Sequence, residues 1–317
     1  MTFRTAARIF AALSLVATVA APAAPPPVSF TSYVSEFDDF EARTRDMPAD
    51  ERVTAFHKTF DSLFPGLYAG SDPARFDRRI ETALTEFPAI RPQYREVEQR
   101  FPRALSTAVD HFRAIFPDFV PPLPIYLVHS LGIRDGGSAV VNGRMVMLFG
   151  ADVIARIHND DSLQPFLEHE LFHLEHARHF PDCARLWCLL WQEGLATYAA
   201  SQMTPGASDH QLLLDQPEPI RPATDANWAA ALCWMADRFD SESEDALNAA
   251  FTGGNRPPPL PSRFGYYAGM RVAAEAARTS NLPTLARLNN EAARPIVAAS
   301  LKSLIAAADA PCATAIR

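Results

Sequence analysis

Apolar residues recur at spacings of three and four between residue 34 and about residue 118, which is the spacing of one face of an α-helix. Pro65-Gly66 ends the first predicted helix, and Asp72-Pro73 is typical of the cap and first position of the next. A third segment runs from residue 93 to 116, where Pro102 should kink or split the helix. The two faces expected to pack in the core consist of Val53, Phe56, Phe60 and Leu63, and of Phe76, Ile80, Leu84 and Phe87.

The periodicity changes between residues 121 and 150. "LPIYLVHSL" (123–131) predicts a strand, and "SAVVNGRMVMLFG" (138–150) predicts a hairpin that turns at Asn142-Gly143, two residue types that tolerate a positive φ. Helical patterns then resume to the C-terminus, with loops near 204–226 and 252–265. The expected fold class is α+β and mainly α, with a small, mostly antiparallel sheet between helical N- and C-terminal regions.

The first 24 residues have the order of a secretory signal peptide. Arg4 and Arg8 precede the apolar run "IFAALSLVATVAA", and small residues follow it. We therefore expect a signal peptide at 1–24, a helical N-terminal region at 25–120 and a catalytic region at 121–317, with 25–317 forming one compact unit. The expected location is periplasmic or secreted, with no stable membrane span after cleavage of the signal.

Charge and cysteine content narrow the expected partners. The formal charge of −8 becomes −10 when Arg4 and Arg8 are removed, and no cluster of Lys and Arg is present, so we expect no nucleic-acid partner. The four cysteines favour one or two disulfides in an exported protein, with three possible pairings if all are used, and a bridge could tie the turn at 183–188 to either of the other two cysteines. These residues are Cys183, Cys188, Cys233 and Cys312.

The strongest chemical signal is "FLEHELFHLEHARHF" at 166–180. In a helix His169 and His173 lie one turn apart and can face a single ion, while Glu170, about 100° around the helix, can reach a water on that ion. Residues 160–162 (Asp-Asp-Ser) are candidate caps, and Pro165 fits a first turn. The motif therefore predicts a zinc site, for which a third protein ligand is needed.

One candidate for the third ligand is His179. "HELFHLEHARH" resembles the metzincin pattern HExxHxxGxxH, in which the last histidine completes the site. Here His176 stands where that pattern has glycine, which lets the chain turn back towards the metal. If the helix continues instead, His179 rises about 9 Å beyond His173 and rotates away from the metal face. His176 and His179 are then expected on the helix surface or in hydrogen bonds to the metal ligands.

The other candidate is Glu193 in "LWQEGLATYAA" (190–200). HExxH, nineteen residues between His173 and Glu193, and the sequence "WQEGLATY" around that glutamate resemble the gluzincin metallopeptidases, most closely the aminopeptidase N group, in which a glutamate on a following helix is the third ligand. "FGYYAG" (264–269) resembles the Y-x-x-G segment of those enzymes, and this likeness assigns oxyanion stabilisation to Tyr266, with Tyr267 as the alternative. Residues 50 to 300 also resemble a poorly characterised family of predicted zinc-dependent proteases in the same clan.

The resemblance implies a gluzincin-like catalytic domain that hydrolyses peptides or proteins. One Zn²⁺ would be held by His169, His173 and Glu193, with Glu170 as general base and Tyr266 at the oxyanion. The G-x-M-E-N glutamate of the aminopeptidases has no counterpart in "GGSAVVNGRMVMLFG", so we do not expect an aminopeptidase of that type. The alternatives are a metzincin-like protease that uses His179, and a non-catalytic exported binding protein on a peptidase scaffold.

Overall fold

Helices account for most of the chain in the computed structural model, which describes residues 28–69, 72–181, 183–254 and 256–313. The signal peptide expected at 1–24 lies outside the described residues. The N-terminal part consists of strand β1 (Phe30–Ser32) and helices α1 (Val34–Thr44), α2 (Ala49–Leu63) and α3 (Pro73–Ile115). The mainly helical α+β class is confirmed at this level.

Helix α3 is a single helix of 43 residues, although two helices were expected between Asp72 and Phe116. Its start is as predicted: the Asp72 side chain accepts a hydrogen bond from the Arg75 amide, and proline occupies the first turn. Pro102 does not split the helix. A proline removes only one backbone donor, and the buried face continues past it from Phe101 to Leu105.

Two expected core residues are not buried: Phe76 is only partly buried, and Leu63 is exposed. Leu63, the last residue of α2, is 43% exposed, whereas the next residue, Phe64, is 1% exposed. The chain leaves the helix at this point, so the three-and-four periodicity no longer decides which side chain faces the core.

The sheet is mixed, which corrects the expectation of a mostly antiparallel one. Its strands β2 (Ile125–Val128), β3 (Gly136–Val141) and β4 (Arg144–Gly150) lie with β1 in the order β1-β2-β4-β3. The β3–β4 hairpin is antiparallel and turns at Asn142 and Gly143 with φ values of 50° and 70°, as predicted. The other two pairings are parallel. The chain leaves β2, forms β3 at the edge of the sheet and then returns in β4, which fills the position between β3 and β2.

Strand β1 was missed by the sequence analysis. It has three residues, too few for a period-2 pattern, and its partner β2 lies more than ninety positions later. The pairing joins the N-terminal helices to the rest of the molecule. Across the same junction, the Tyr68 hydroxyl donates to the His129 carbonyl over 2.7 Å, and the Phe37 ring stacks on His129 at 3.7 Å.

Nine helices follow the sheet in the described residues, and they complete the fold. They are α4 (Ala151–Ile157), α5 (Asp160–His176), α6 (Leu186–Met203), α7 (Ile220–Ala226), α8 (Trp228–Asp237), α9 (Glu244–Phe251), α10 (Phe264–Ala276), α11 (Leu282–Ala286) and α12 (Asn290–Ala307).

The cap of helix α5 is Asn159, one residue before the predicted caps. The Asn159 side chain accepts from the amides of Asp161 and Ser162, and the Ser162 hydroxyl accepts from the Asn159 amide. This is a reciprocal capping box, in which Ser162 is the third helical residue and not the cap. Pro165 lies beyond the first turn, inside the helix.

Two disulfides connect the cysteines in one of the three possible pairings. Cys183–Cys188 closes the turn between α5 and α6, and Cys233–Cys312 joins α8 to the segment after α12. The suggestion that a bridge ties the turn to Cys233 or Cys312 is therefore wrong. Two disulfides are compatible with an exported protein. Among the described residues, no helix combines the length and apolar composition needed to cross a bilayer.

Candidate metal centre

Helices α5 and α6 run antiparallel, and this brings one acid of α6 opposite two histidines of α5. The ring of Phe180 meets that of Trp187 at the turn, while Thr204 beyond the far end of α6 donates to Glu168 over 2.8 Å. Between these contacts, Glu193 faces His169 and His173. The Cys183–Cys188 bridge ties the end of the connection to the first turn of α6.

The three side chains converge on one point. The Nε2 atoms of His169 and His173 are 3.0 Å apart, and Oε2 of Glu193 lies 3.3 Å from the first and 3.4 Å from the second. Ligand atoms about 2.1 Å from a tetrahedral zinc ion are about 3.4 Å from one another. Within the described part of the chain, this is the only group of three or more His, Cys, Asp or Glu side chains that could share an ion.

In this group Glu193 is held ionised, as a cation requires, whereas His173 must lose a proton before its nitrogen can bind a metal ion. Although burial opposes ionisation, the facing imidazoles of His173 and His169 hold the pKa of Glu193 well below its usual range. Burial lowers the pKa of His173, but the Glu193 carboxylate outweighs it and raises that pKa to about 9. Two imidazole nitrogens and an ionised carboxylate are a donor set that zinc accepts, so the residues present fit the ion.

Glu170 lines the same cleft as these three residues. Burial raises the pKa of its carboxyl to about 8, because removal from water disfavours the charged form. The side chain packs against the start of β3, where Gly136 leaves room for it: a Cβ on Gly136 would lie 2.7 Å from Cδ of Glu170 and 2.9 Å from Cγ. The glycine therefore sets where the Glu170 carboxylate can stand.

Gly136→Ala should displace the Glu170 carboxylate, and a reaction that uses this carboxylate should slow about 10- to 100-fold, since a shift of about 1 Å in a reacting group can cost that much. Zinc content should stay close to that of the wild type, while the melting temperature should fall, because the new methyl group would also lie 2.9 Å from the buried ring of Phe166. Gly254→Ala is the matched control, because its Cβ would make only ordinary contacts at 3.7 and 3.8 Å. Equal turnover by the two variants would contradict this role of Gly136.

Tyr266 is the tyrosine that lies beside the metal group. Its ring centroid is 6.3 Å from that of His169, and it lines the cleft. Burial raises the pKa of the Tyr266 hydroxyl, so it remains a proton donor. Tyr267 points elsewhere, since its hydroxyl donates to Asp225 over 2.8 Å and accepts from Arg271 over 3.0 Å.

A close helix crossing holds Tyr266 near Glu193. A Cβ on Gly194 of α6 would lie 2.2 Å from the carbonyl carbon of Gly269 on α10, and one on Gly269 would lie 2.4 Å from the Leu190 oxygen. Only glycine allows two helix backbones to approach this closely. Gly194 follows Glu193 directly, and Gly269 is three residues after Tyr266, so the crossing joins the two functional side chains.

The other two histidines of α5 do not join the metal group. His179 is a third exposed, and its Nε2 lies 3.9 Å from a carboxylate oxygen of Glu175. His176 is 1% exposed, which contradicts its expected place on the helix surface or in a hydrogen bond to a metal ligand. It packs between Phe172 and Phe180, and its Nδ1 donates to the Ala286 carbonyl over 3.0 Å.

His176 should make stability depend on pH. Burial lowers its pKa to about 4, compared with 6.5 in an unfolded chain, so the unfolded state binds more protons between these values. The free energy of unfolding should therefore fall by about 3 kcal/mol from this group as pH drops from 7 to 4. Urea unfolding with a chelator present should show a shallower pH dependence for His176→Phe, and the wild-type dependence for His179→Gln. Identical slopes in all three proteins would refute the assignment.

Further residues line the cleft that the motifs did not indicate. The cleft measures about 400 Å³, which is within the range of ligand-binding sites. Asp135 lies just before β3, Leu212 and Leu213 come from the loop after α6, and Arg263 precedes α10. All four are in connections between elements, where periodicity carries no information about what they face.

Comparison with known proteins leaves the chain without an assigned relative: no protein-family model, no curated protein and no solved structure matches it.

Proposed function

We propose that this chain is a zinc-dependent peptidase of the gluzincin type, with His169, His173 and Glu193 as metal ligands. The observation that carries the proposal is the convergence of the two Nε2 atoms and the Glu193 carboxylate at 3.0 to 3.4 Å. Glu170 and Tyr266 line the same cleft, so the general base and the oxyanion donor expected for peptide hydrolysis face the metal group.

Each side chain then has a distinct task. Zinc, when bound, would supply a Lewis acid that polarises the scissile carbonyl and lowers the pKa of water. Glu170, in its ionised form, would take the proton of the attacking water and pass it to the leaving nitrogen. Tyr266 donates its hydroxyl proton in a hydrogen bond to the carbonyl oxygen as negative charge develops there.

The substrate is an extended peptide or protein segment. Strand β3 is at the edge of the sheet, and its first residues, Gly136 to Ser138, line the cleft. The unpaired backbone groups of an edge strand can hydrogen-bond an extended chain and so lead it to the metal group. We place the enzyme outside the cytoplasm, in the periplasm or secreted, in keeping with the signal-like sequence and the disulfides.

An aminopeptidase of the G-x-M-E-N type remains the less favoured specificity. Asp135 directly precedes β3, but its carboxylate already accepts from the Gly136 amide over 2.9 Å and lies 3.5 Å from Nε2 of His158. These contacts leave it less able to bind a substrate ammonium group. A cleavage screen with N-terminally blocked and unblocked peptides, on protein of measured metal content, tests this proposal. We expect both sets to be cut by protein with one zinc per chain, and a zinc-loaded protein that cuts neither set would refute it.

Tyr266→Phe should lower kcat about 10²- to 10³-fold with little change in KM, because the lost hydrogen bond forms mainly in the transition state. Tyr267→Phe is the matched control. It removes a hydroxyl from the same helix turn, but that hydroxyl bonds Asp225 and Arg271 away from the metal group. If Tyr267→Phe were the more damaging of the two, the assignment of Tyr266 would be wrong.

A further inference from the structure

One arginine stands in the cleft without an acidic partner. Among the described residues, Arg263 is the only Lys or Arg that lines the cleft, and no carboxylate is within ion-pair distance of it. The acids that share the lining have other partners. Glu193 faces the two histidines, Asp135 is bound to the Gly136 amide and Glu170 packs against the start of β3, and none of the three forms an ion pair with the guanidinium. An anionic group entering the cleft would meet Arg263 as a fixed positive charge.

The backbone at Arg263 is strained. Its φ of 59° and ψ of 20° are in the left-handed region, where a residue with a Cβ is uncommon and where glycine or asparagine is the usual choice. Such a conformation costs on the order of 1 kcal/mol and is typical of functional sites. An arginine at this position therefore indicates that the side chain itself has a use.

Neighbouring contacts hold the guanidinium in place. Nη1 of Arg263 donates to the Gln216 carbonyl over 3.1 Å, and the preceding amide, that of Ser262, donates to Glu218 over 2.8 Å. The guanidinium carbon lies 4.6 Å from the centroid of the Tyr266 ring. The Gln216 carbonyl and the Tyr266 hydroxyl each accept from one of the five N–H donors, so a carboxylate can still be bound by the others in the two-pronged arrangement that suits guanidinium.

We propose that Arg263 binds a carboxylate of the substrate close to the scissile bond, and that the enzyme is therefore selective for peptides with an acidic group at that position. The carboxylate belongs either to an Asp or Glu side chain or to a free C-terminus. This inference rests on the proposed function, because the position is defined relative to Tyr266, where the carbonyl oxygen of the scissile bond would lie.

The test measures binding rather than turnover, so that it does not depend on hydrolysis. Zinc-loaded Glu170→Gln protein is titrated with peptides in which Glu or Gln occupies each position in turn, each made with a free or an amidated C-terminus. At one position, we expect the peptide with Glu to bind about 10- to 100-fold more tightly than the peptide with Gln, or the free C-terminus to bind more tightly than the amidated one by the same factor. This is the difference in Kd that a charged hydrogen bond implies. The pair that differs identifies the source of the carboxylate.

Two further variants in the Glu170→Gln background assign that preference to Arg263. Arg263→Met should reduce it to less than about 3-fold, and Arg263→Lys should lose most of it, because an ammonium lacks the planar fork. Arg278→Met is the control for loss of one positive charge: it lies at the end of the same helix and its side chain is 73% exposed. The preference should survive in this control.

Either of two results would overturn the inference: no acidic preference at any position, or a preference that survives Arg263→Met. If Arg263 acted only by positioning Tyr266, Arg263→Met would weaken the binding of acidic and neutral peptides equally. That result would also contradict the inference. Failure of the wild-type protein to cut any peptide would refute the peptidase and leave this binding result intact.

Discussion

Glu170→Gln should lower kcat by at least about 10³-fold while the protein keeps one zinc per chain. Gln has nearly the same shape as Glu but cannot accept the proton of the attacking water, and general base catalysis contributes about 10²- to 10⁴-fold. The carboxyl lines the cleft beside His169 and His173 but does not belong to the group of three that converge, so zinc binding should be unaffected.

The measurement is single-turnover cleavage together with metal content. Asp161→Asn is the matched control, because it makes the same acid-to-amide change on the same helix at an exposed position. It should retain wild-type turnover. Wild-type rates in zinc-loaded Glu170→Gln would contradict the mechanism, and loss of zinc in that variant would place Glu170 among the ligands.

Glu193→Ala should abolish stoichiometric zinc binding, whereas His179→Ala should leave it intact. Glu193 supplies one of three protein ligands, with its carboxylate oxygen 3.3 and 3.4 Å from the two histidine nitrogens. His179 lies beside Glu175 and takes no part in the group. Without Glu193 only two protein ligands remain, whereas a zinc site needs at least three. We therefore expect the affinity for zinc to fall at least about 100-fold.

Two readouts separate these variants. Metal analysis after dialysis reports stoichiometry, and the shift in melting temperature on addition of zinc reports binding to the folded state. Wild type and His179→Ala should gain thermal stability from zinc, and Glu193→Ala should not. Loss of zinc in His179→Ala alone would favour the metzincin arrangement over the one proposed.

Local periodicity was sufficient to identify the helix that carries the HExxH motif. Positions four apart in a helix face the same way, so the proximity of His169 and His173 follows from their spacing. The prediction that Glu193 of α6 faces these two histidines required a second condition, namely that the chain returns antiparallel after α5. The sequence signal for Glu193 was the "WQEGLATY" motif, and the structure brings this glutamate opposite both histidines.

Residues in the connections could not be placed in the same way. Arg263 lines the cleft from the residue before α10, where its own backbone is left-handed, and no sequence pattern around it indicates this. His176 is buried because a carbonyl of α11, more than a hundred positions later, accepts its hydrogen bond. The parallel pairing of β1 with β2 could not be predicted for the same reason, because it joins parts of the chain that are distant in sequence.

The most direct test of the central claim is digestion of a peptide library by one preparation of protein in three states: as purified with zinc, stripped by a chelator, and reloaded with one equivalent of zinc. We expect cleavage products in the first state, no more product than Glu170→Gln forms in the second, and recovery of the same products in the third. The same cleavage in all three states, or none in the zinc-loaded states, would contradict that claim.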